Sequence, residues 1–519
     1  MSGNPRKIIK QFTLAVILSL YPVWFLYSEN IQRLYFRQTF TPALIIIVFA
    51  AFFFCLLKFI STSKFKVSNI EIVVPLVSII LFTYGHIFNT LRSQSASLGS
   101  LVHHRYIIII YLVVILFVIY MFSKLETGNR VSSVLLLFLI VLNVFPFVSI
   151  VSYKLKFTSH NVQVSSFSAI SPPDGNSHDP DIFYIILDMY PSEKVFAEIL
   201  RYNNKPFIDS LIKLGFFVQP DAKSNYPRTL LSLASSLNME YIHDEKNLIN
   251  REITMEGINS KLQNNKVSQF LKNRGYTYYL FDGGYGLKFQ YDKNEKLISL
   301  KKSFLRRLNL NTADNDFLGL FVNTSILQIV EYKLTFASAK THRQQIKNVI
   351  NILPKLANQP DKKFVFAHIM SPHPPFVFGK DGEDVNIISH ATINRKIPFL
   401  NQVTYINREI ISLLKKMIAI KNEREKVIIL QGDHGSRVLP TINKYDKNQK
   451  WIMEQFGILN AVYRTDSNYF TLAKEFSKNT PVNTFRKIFN SYFSSNIPVL
   501  PDRQYYTDFS TPLKFIQVE

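Results

Sequence analysis

Cysteine is almost absent from this chain: one residue, Cys55, in 519. It lies within a long apolar stretch, so everything C-terminal to that stretch lacks both a disulfide and a thiol nucleophile, whatever its redox surroundings. Acidic residues are scarce too, 37 Asp and Glu against 60 Lys and Arg, for a formal net charge of +23. Residues 1–157 hold 14 of the basic and 3 of the acidic residues, a net of +11, which leaves +12 for the remainder. A basic domain held at a membrane is drawn to anionic lipid headgroups or phosphorylated glycans. Nucleic acid, the other usual partner of such charge, fits poorly with long apolar spans, and the sequence carries no nucleic-acid motif. Internal repeats are also missing.

What the sequence does have is apolar length at its N-terminal end. Five stretches, Phe12–Tyr27, Phe40–Ile60, Ile70–Phe88, Tyr106–Phe122 and Val134–Val151, each approach the roughly 20 residues that cross a bilayer as a helix. Tyr21, Trp24, Tyr27, Tyr106 and Tyr120 crowd their ends, as interfacial aromatic belts do. The first stretch follows Arg6, Lys7 and Lys10 but has no small-residue cleavage site and is followed by four more spans, so it reads as a retained helix. With the N-terminus inside, the cytoplasmic segments carry Arg6, Lys7, Lys10, Lys58, Lys64, Lys66, Lys124 and Arg130, and the outer loops carry Arg33, Arg37, Arg92 and Arg105. That imbalance favours an N-in, multi-pass protein of the plasma (inner) membrane, and five crossings place the rest of the chain outside the cytoplasm.

The expected organisation is a transmembrane domain over 1–156, a linker over 157–180 centred on Pro172-Pro173-Asp174-Gly175, and a catalytic domain over 181–519. Strand patterns at Ile182–Leu187, Gly215–Val218, Tyr276–Phe281, Lys363–His368 and Val427–Leu430 alternate with helical patterns around Lys205–Leu214, Leu230–Leu237 and Ile406–Ile418. This predicts an α/β fold, a mostly parallel sheet with helices on both faces. Residues 240–345, polar and irregular, are expected to insert around the site and shape it. Residues 380–395 and 438–455 read as surface loops.

Four segments place chemistry-bearing side chains at strand ends or helix starts, where open α/β sheets bind ligands. Asp188 follows the first strand, where an Asp also serves as a cap or turn residue. Thr229 follows Asn225-Tyr226-Pro227-Arg228 and opens an apolar helical run, a place that suits an N-cap or an alkoxide facing free N–H groups. In Phe366-Ala367-His368-Ile369-Met370-Ser371-Pro372-His373-Pro374-Pro375, the prolines fix an extended segment that presents His373, while His368 reads equally as a core histidine. The run Val427-Ile428-Ile429-Leu430-Gln431 ends in Gly432-Asp433-His434-Gly435. Asp and His are ordinary ligands of Zn²⁺ or Mn²⁺, and the glycines are expected to allow a sharp turn and leave room beside an ion.

In this order the motifs resemble the alkaline phosphatase/sulfatase superfamily, and within it the membrane-embedded lipoteichoic acid synthases and phosphoethanolamine transferases. The resemblance covers residues 181–440 by motif and the whole chain by architecture, with Gly-Asp-His-Gly its most specific element. It implies one divalent ion, Zn²⁺ or Mn²⁺ with Mg²⁺ as a further option, held by Asp188, Thr229, Asp433 and His434. It also implies Thr229 as nucleophile and His373 beside the substrate phosphate. The implied activity moves a phosphoglycerol or phosphoethanolamine headgroup from a membrane phospholipid to a surface glycan or glycolipid, through a phospho-threonine. Arg228 and Arg437 flank the site as phosphate contacts or solvated surface residues, and Ser232 is a second candidate nucleophile.

The sequence departs from that pattern in two places. The first ligand is Asp188, where these relatives usually have Glu, and no histidine follows His434, which argues for a single-ion site. Three alternatives remain open. One is a phosphodiesterase that uses water as acceptor. Another is a sulfatase, although Ser224-Asn225-Tyr226-Pro227-Arg228-Thr229 lacks the Cys/Ser-x-Pro/Ala-x-Arg spacing that matures to formylglycine. The third is a non-catalytic, membrane-anchored binding domain, which a missing motif residue would support; every position is filled.

Overall fold

The computed structural model describes residues 5–61, 66–93, 103–126, 128–158, 179–243, 254–282, 294–299, 315–385, 395–438, 448–508 and 511–518. The chain divides into two compact units, Met1–His160 with Phe304–Ser338, and Asn161–Ser303 with Ala339–Glu519. The expected linker, including Pro172-Pro173-Asp174-Gly175, lies outside the described residues except at its ends.

The first unit is built on helices α1 (Pro5–Ser19), α2 (Tyr21–Glu29), α3 (Phe40–Ile60), α4 (Ile70–Ser93), α5 (His104–Lys124) and α6 (Arg130–Thr158). Helices α1 and α2 form one span with a break at Leu20, so five stretches are long and apolar enough to cross a bilayer. Helix α4 is central, with 56% of its apolar window buried against 28% or less in the others. On α5, by contrast, Ile109, Ile110, Leu112, Val113, Leu116 and Phe117 are exposed, an arrangement that suits lipid and not water as the surrounding medium. Polar groups pair across this unit: Gln11 Nε2 donates to Glu71 at 2.9 Å and Asn69 Nδ2 to Ser132 Oγ at 3.0 Å.

Part of the expected insertion belongs to this unit. The helix Asp316–Thr324 and the 3-10 turn Ile326–Val330 fall within it, with Phe317 and Phe321 in a cluster that includes Val23, Tyr27, Ile46, Phe82 and Ile150. The reason is composition: Phe317, Leu318, Phe321 and Val322 make one apolar face, which finds apolar partners on α2, α3 and α4. Elsewhere 240–345 is less irregular than its polarity suggests, since helices Met255–Gln263 and Lys266–Asn273 each carry an apolar stripe and a side-chain N-cap, Thr254 and Asn265.

The second unit is organised on β1 (Asp181–Leu187), β2 (Phe217–Val218), β3 (Thr277–Asp282), β4 (Glu295–Ser299), β5 (Lys363–Ile369), β6 (Lys426–Gly432), β7 (Asn460–Arg464) and the hairpin β8 (Gln504–Thr507) and β9 (Phe515–Val518). The main sheet runs β2-β7-β6-β1-β5-β3-β4. Strands β6, β1, β5, β3 and β4 are mutually parallel, and β7 is antiparallel to both of its neighbours. Every residue of β1 is buried because alternate side chains serve two cores. Phe183, Ile185 and Leu187 pack with the helices Lys205–Lys213 and Lys396–Ala419 on one face, while Ile182, Tyr184 and Ile186 pack with Thr229–Asn238 and Pro481–Phe493 on the other.

At the start of β1, Asp181 is fully buried yet answered by Lys363 Nζ at 2.8 Å and Arg424 Nε at 3.0 Å, so the amino end of the sheet is electrostatically closed. Within the expected loop 438–455, residues 439–447 lie outside the described set, and Gln449–Phe456 is a helix anchored by buried Trp451 and Phe456. Its sequence, QKWIMEQF, is too short for the periodicity to stand out. Of 380–395, residues 386–394 lie outside the described set.

Candidate active site

Three adjacent parallel strands end side by side, and their carboxyl ends make the site. β1 delivers Asp188, β5 delivers His368 opposite Ile186 in register, and β6, paired Leu187 to Gly432, delivers Asp433. Ligand atoms of Asp188, His368 and Asp433 lie within 4.8 Å of one another, and all three residues are buried. His434 Nε2 stands 3.5 Å from Asp433 Oδ2, 3.9 Å from Asp188 Oδ1 and 3.3 Å from the Thr229 hydroxyl. The four residues expected to hold an ion therefore converge. His368, which the sequence left undecided, joins them with Nε2 at 3.2 Å from Asp188 Oδ2.

The backbone here is shaped by residues other than the two glycines. Gly432 and Gly435 have no positive φ; a Cβ on Gly432 would sit 2.2 Å from the Tyr190 carbonyl oxygen, and one on Gly435 would sit 1.9 Å from that of Glu454. Their role is close approach of neighbouring backbone, which corrects the expectation of a sharp turn beside an ion. The left-handed positions are Met189, at φ 64°, and Arg437, at φ 47°, on either side of the cluster. Met189 uses that conformation to donate its N–H to Asp433 Oδ1 at 2.9 Å, and the His434 N–H donates to the same oxygen at 2.9 Å. Two L-residues in this sparsely populated region are a local cost of about 1 kcal/mol or more each, of a kind that gathers at functional sites.

Thr229 is the first residue of a ten-residue helix whose members are all buried, preceded by Arg228 in extended conformation. The chain entering that helix is held from several sides. Asn225 Nδ2 donates to Thr480 Oγ1 at 3.0 Å and to the Arg503 carbonyl at 2.9 Å, and its Oδ1 accepts from Val482 N at 2.9 Å. The Asn225 carbonyl accepts from Tyr505 N at 2.9 Å. The Tyr226 hydroxyl accepts from Ile242 N at 2.9 Å and meets His243 Nδ1 at 3.1 Å, while its ring packs against Tyr505 and Phe515. Ser232, the alternative nucleophile, is buried one turn further along.

Both Asp188 oxygens and Asp433 Oδ2 are buried without a hydrogen bond of normal geometry. A buried, unpaired carboxylate costs several kcal/mol. Burial raises the Asp188 pKa, but His373, His368 and His434 around it outweigh burial and hold the carboxyl below its usual range. Burial lowers the His368 pKa, yet Asp188 and Asp433 more than reverse this and raise it. For His434 burial prevails and keeps the imidazole neutral, with Nδ1 facing the Gly435 carbonyl at 2.9 Å, so that Nε2 carries the lone pair toward Thr229. Oxygen and imidazole donors converging on one buried point, with carboxylate oxygens left unanswered, fit a divalent cation such as Zn²⁺ or Mn²⁺.

His373 is half-buried, outside the ligand cluster but close enough for its charge to act on Asp188. Its ring Nδ1 faces the Pro374 carbonyl, and its own carbonyl accepts from Gln402 Nε2 at 3.2 Å. His342, which sequence reasoning missed, is buried and hydrogen-bonds the Met370 carbonyl between His368 and His373. Burial is the main cause holding its pKa down to about 4, with His373 adding to the effect. Its neighbour Arg343 binds the Val377 and Glu383 carbonyls at 2.6 and 3.0 Å, so the helix Glu331–Ala357 that carries both braces the His373 segment on its far side as well. Arg228 and Arg437 are half-buried and both act electrostatically on Tyr506; Arg437 also donates from Nε to Gln455 at 3.0 Å.

The Sulfatase family model matches residues 180–474. No curated protein matches the chain. Among solved structures, the chain is similar to the integral membrane lipooligosaccharide phosphoethanolamine transferase A (EptA) from Neisseria meningitidis. That match has 13% identity over 92% of this chain and 95% of that one, at a TM-score of 0.39. It is similar also to the C-terminal periplasmic domain of EcEptC from Escherichia coli in complex with Zn, at 12% identity over 67% and 94% of the two chains and a TM-score of 0.39. A third similarity is to the C-terminal periplasmic domain of phosphoethanolamine transferase EptC from Campylobacter jejuni, at 14% identity over 62% and 92% and a TM-score of 0.37.

Proposed function

The chain belongs to the Sulfatase family, and from that premise we propose that it is a metal-dependent transferase. It takes the phosphoryl headgroup of a membrane phospholipid, phosphoglycerol or phosphoethanolamine, and passes it to a hydroxyl of a surface glycan or glycolipid. The observation that carries this reading is a threonine at the first position of a buried helix, its hydroxyl 3.3 Å from His434, beside buried Asp188 and Asp433 oxygens that lack a hydrogen bond of normal geometry.

Asp188, Asp433, His434 and Thr229 would hold the ion, with His368 as a further ligand or as the partner that orients Asp188. Bound there, a divalent cation supplies positive charge that favours the threonine alkoxide and screens phosphoryl oxygens. Thr229 Oγ attacks phosphorus; the bond to the diacylglycerol oxygen breaks, and a phospho-threonine forms. The proton lost by Thr229 is balanced by the one gained by the departing glycerol oxygen, and we assign its delivery to His373. An acceptor hydroxyl then attacks the phospho-threonine, and Thr229 regains its proton. The free N–H groups of the Thr229–Asn238 helix favour the developing negative charge. Arg228 and Arg437 are suited to the non-bridging phosphoryl oxygens.

Phosphoryl transfer is preferred to sulfate-ester hydrolysis because the segment before Thr229 lacks the formylglycine spacing, and because five apolar spans tether the enzyme where its donor lipid resides. The distribution of basic loop residues supports a plasma (inner) membrane protein with the second unit outside the cytoplasm.

The test is diacylglycerol release from phosphatidylglycerol and from phosphatidylethanolamine by the full-length protein with Mn²⁺ or Zn²⁺. Release that requires both metal and Thr229 supports the reading and identifies the donor. No release from either lipid by metal-loaded protein rejects it. Free phosphoglycerol or phosphoethanolamine as the final product, with acceptor glycolipid present, would make the enzyme a hydrolase.

A further inference from the structure

The segment Asp316–Val330 lies at a depth that hydropathy along the chain does not reveal. Its helix packs Phe321 against Phe82 of α4, ring centroids 6.4 Å apart, and Phe317 against Tyr27 of α2 at 6.2 Å. Phe82 precedes Arg92, the end of its span, by ten residues, about 15 Å along a helix axis. Ile150 on α6 and Val23 on α2, members of the same cluster, each lie six residues inside the ends of their spans, about 9 Å, and Ile46 on α3 lies ten inside, about 15 Å. On four helices the contacts thus lie about 9 to 15 Å inside the span ends. Spans of 21 to 27 residues exceed a hydrocarbon core of about 30 Å by only a few ångströms at each end, so these contacts fall within the apolar layer.

Gly85 on α4 makes room for this approach, since a Cβ there would lie 2.3 Å from the Asn323 carbonyl oxygen. Polar groups of the segment find partners inside the unit, Gln328 Oε1 excepted, as non-spanning backbone at that depth requires. The Asn323 carbonyl accepts from Asn89 Nδ2 at 3.2 Å, Gln328 Nε2 donates to Asn89 Oδ1 at 2.8 Å, and Asn315 Nδ2 donates to the Gln38 carbonyl at 3.2 Å. Between residues 316 and 330 the only charged side chain is Asp316, at the exposed start.

We propose that Asp316–Val330 is a sixth membrane-embedded element, a re-entrant helix and turn whose outer face contacts the acyl chains of the surrounding lipid leaflet. Its occupant follows from continuity. Ile326 packs on the Tyr84, Phe88, Ile107 and Tyr111 cluster of α4 and α5. Just beyond it Ile329 and Val330 are 36% and 42% exposed, and α4 and α5 expose Ile87 and Ile110 to the same surroundings. A soluble loop with this composition would present an apolar patch to water.

The test uses the full-length chain in lipid nanodiscs, with Cys55→Ser removing its one thiol. Nitroxide labels are attached through Val330→Cys and, in a separate variant, Ile329→Cys. Val113→Cys on the lipid-exposed face of α5 and Lys478→Cys on the second unit are the reference positions. Labels at 330 and 329 are expected to collide with oxygen in preference to a water-soluble nickel chelate, in a ratio that tracks position 113 and exceeds that of position 478 several-fold. Nickel access at either position equal to that of position 478 overturns the proposal.

Discussion

The Thr229 hydroxyl and His434 Nε2 face each other at 3.3 Å although their residues are 205 apart in the chain. One stands at the start of a helix on one face of the sheet, the other just past the end of β6, so their meeting depends on the whole second unit being folded. Replacing Thr229 with Ala is expected to lower diacylglycerol release by roughly 10³-fold or more and to weaken metal binding, since its hydroxyl is one of the proposed ligands, and Thr229→Ser to restore part of both. Full activity in Thr229→Ala would move the nucleophile elsewhere, with Ser232 the next to test.

Asp188 serves the site both as a proposed metal ligand and as the ionised partner of the histidines around it. Asp188→Asn is expected to abolish stoichiometric binding of Mn²⁺ or Zn²⁺, read by elemental analysis after gel filtration. In chelator the same variant is expected to unfold at a lower temperature than the parent, because it removes the carboxylate that His368 faces at 3.2 Å and that the surrounding histidines hold ionised. His368→Ala should weaken metal binding about 10–100-fold, which distinguishes a participant from a bystander core histidine. Unchanged affinity would return His368 to the core.

Tyr226 acts on Thr229 only through the chain between them. Tyr226→Phe keeps the ring packing but leaves the buried Ile242 N–H without its acceptor, a loss of about 1–3 kcal/mol. Turnover is expected to fall with little change in KM for the lipid, since the hydroxyl is proposed to set the nucleophile's position and not to bind substrate. A rise in KM alone would contradict that assignment.

His342 gives the second unit an acid-sensitive contribution. Its pKa is held down to about 4 in the folded chain, from an ordinary 6.5. Above pH 6.5 it is neutral in both states and favours neither. As the pH falls from 6.5 to about 4, the unfolded chain takes up a proton that the folded chain refuses, and stability declines by on the order of 3 kcal/mol. Below that range the loss is complete. His342→Asn is expected to flatten this part of the profile, measured as the thermal midpoint from pH 7 to 4.5, and an unchanged slope would show that other groups dominate.

The sheet and the Asp433-His434 turn were legible because both are written in local pattern. An unbroken apolar run before a polar pair reads as a buried strand with its end at the surface of the sheet, and Ile182–Leu187 before Asp188 reads the same way. His368 was not legible for a reason of topology. It sits within an apolar strand, and only the placement of β5 directly beside β1 decides that its ring meets Asp188 and not a core leucine. His342 was hidden similarly, on a helix whose register against the Met370 segment no local pattern encodes. The two glycines misled because glycine has two uses; the left-handed turns fell to Met189 and Arg437, residue types that rarely signal one. The embedded segment escaped because its apolar run, Phe317–Val322, is too short for a hydropathy search tuned to whole spans, and its depth is set by partners on four other helices.

Asn225 draws its anchors from Thr480, Val482, Arg503 and Tyr505, the furthest of them 280 residues later. A ribosome making this protein therefore completes β1, the Thr229 helix and the Asp433-His434 turn well before it supplies the contacts that hold the approach to Thr229. Until those residues emerge, the ligands can gather while the nucleophile remains unfixed. The order of synthesis thus delays competence until residues 480–505 have emerged, when the five apolar spans, made earlier, have long since been available for insertion.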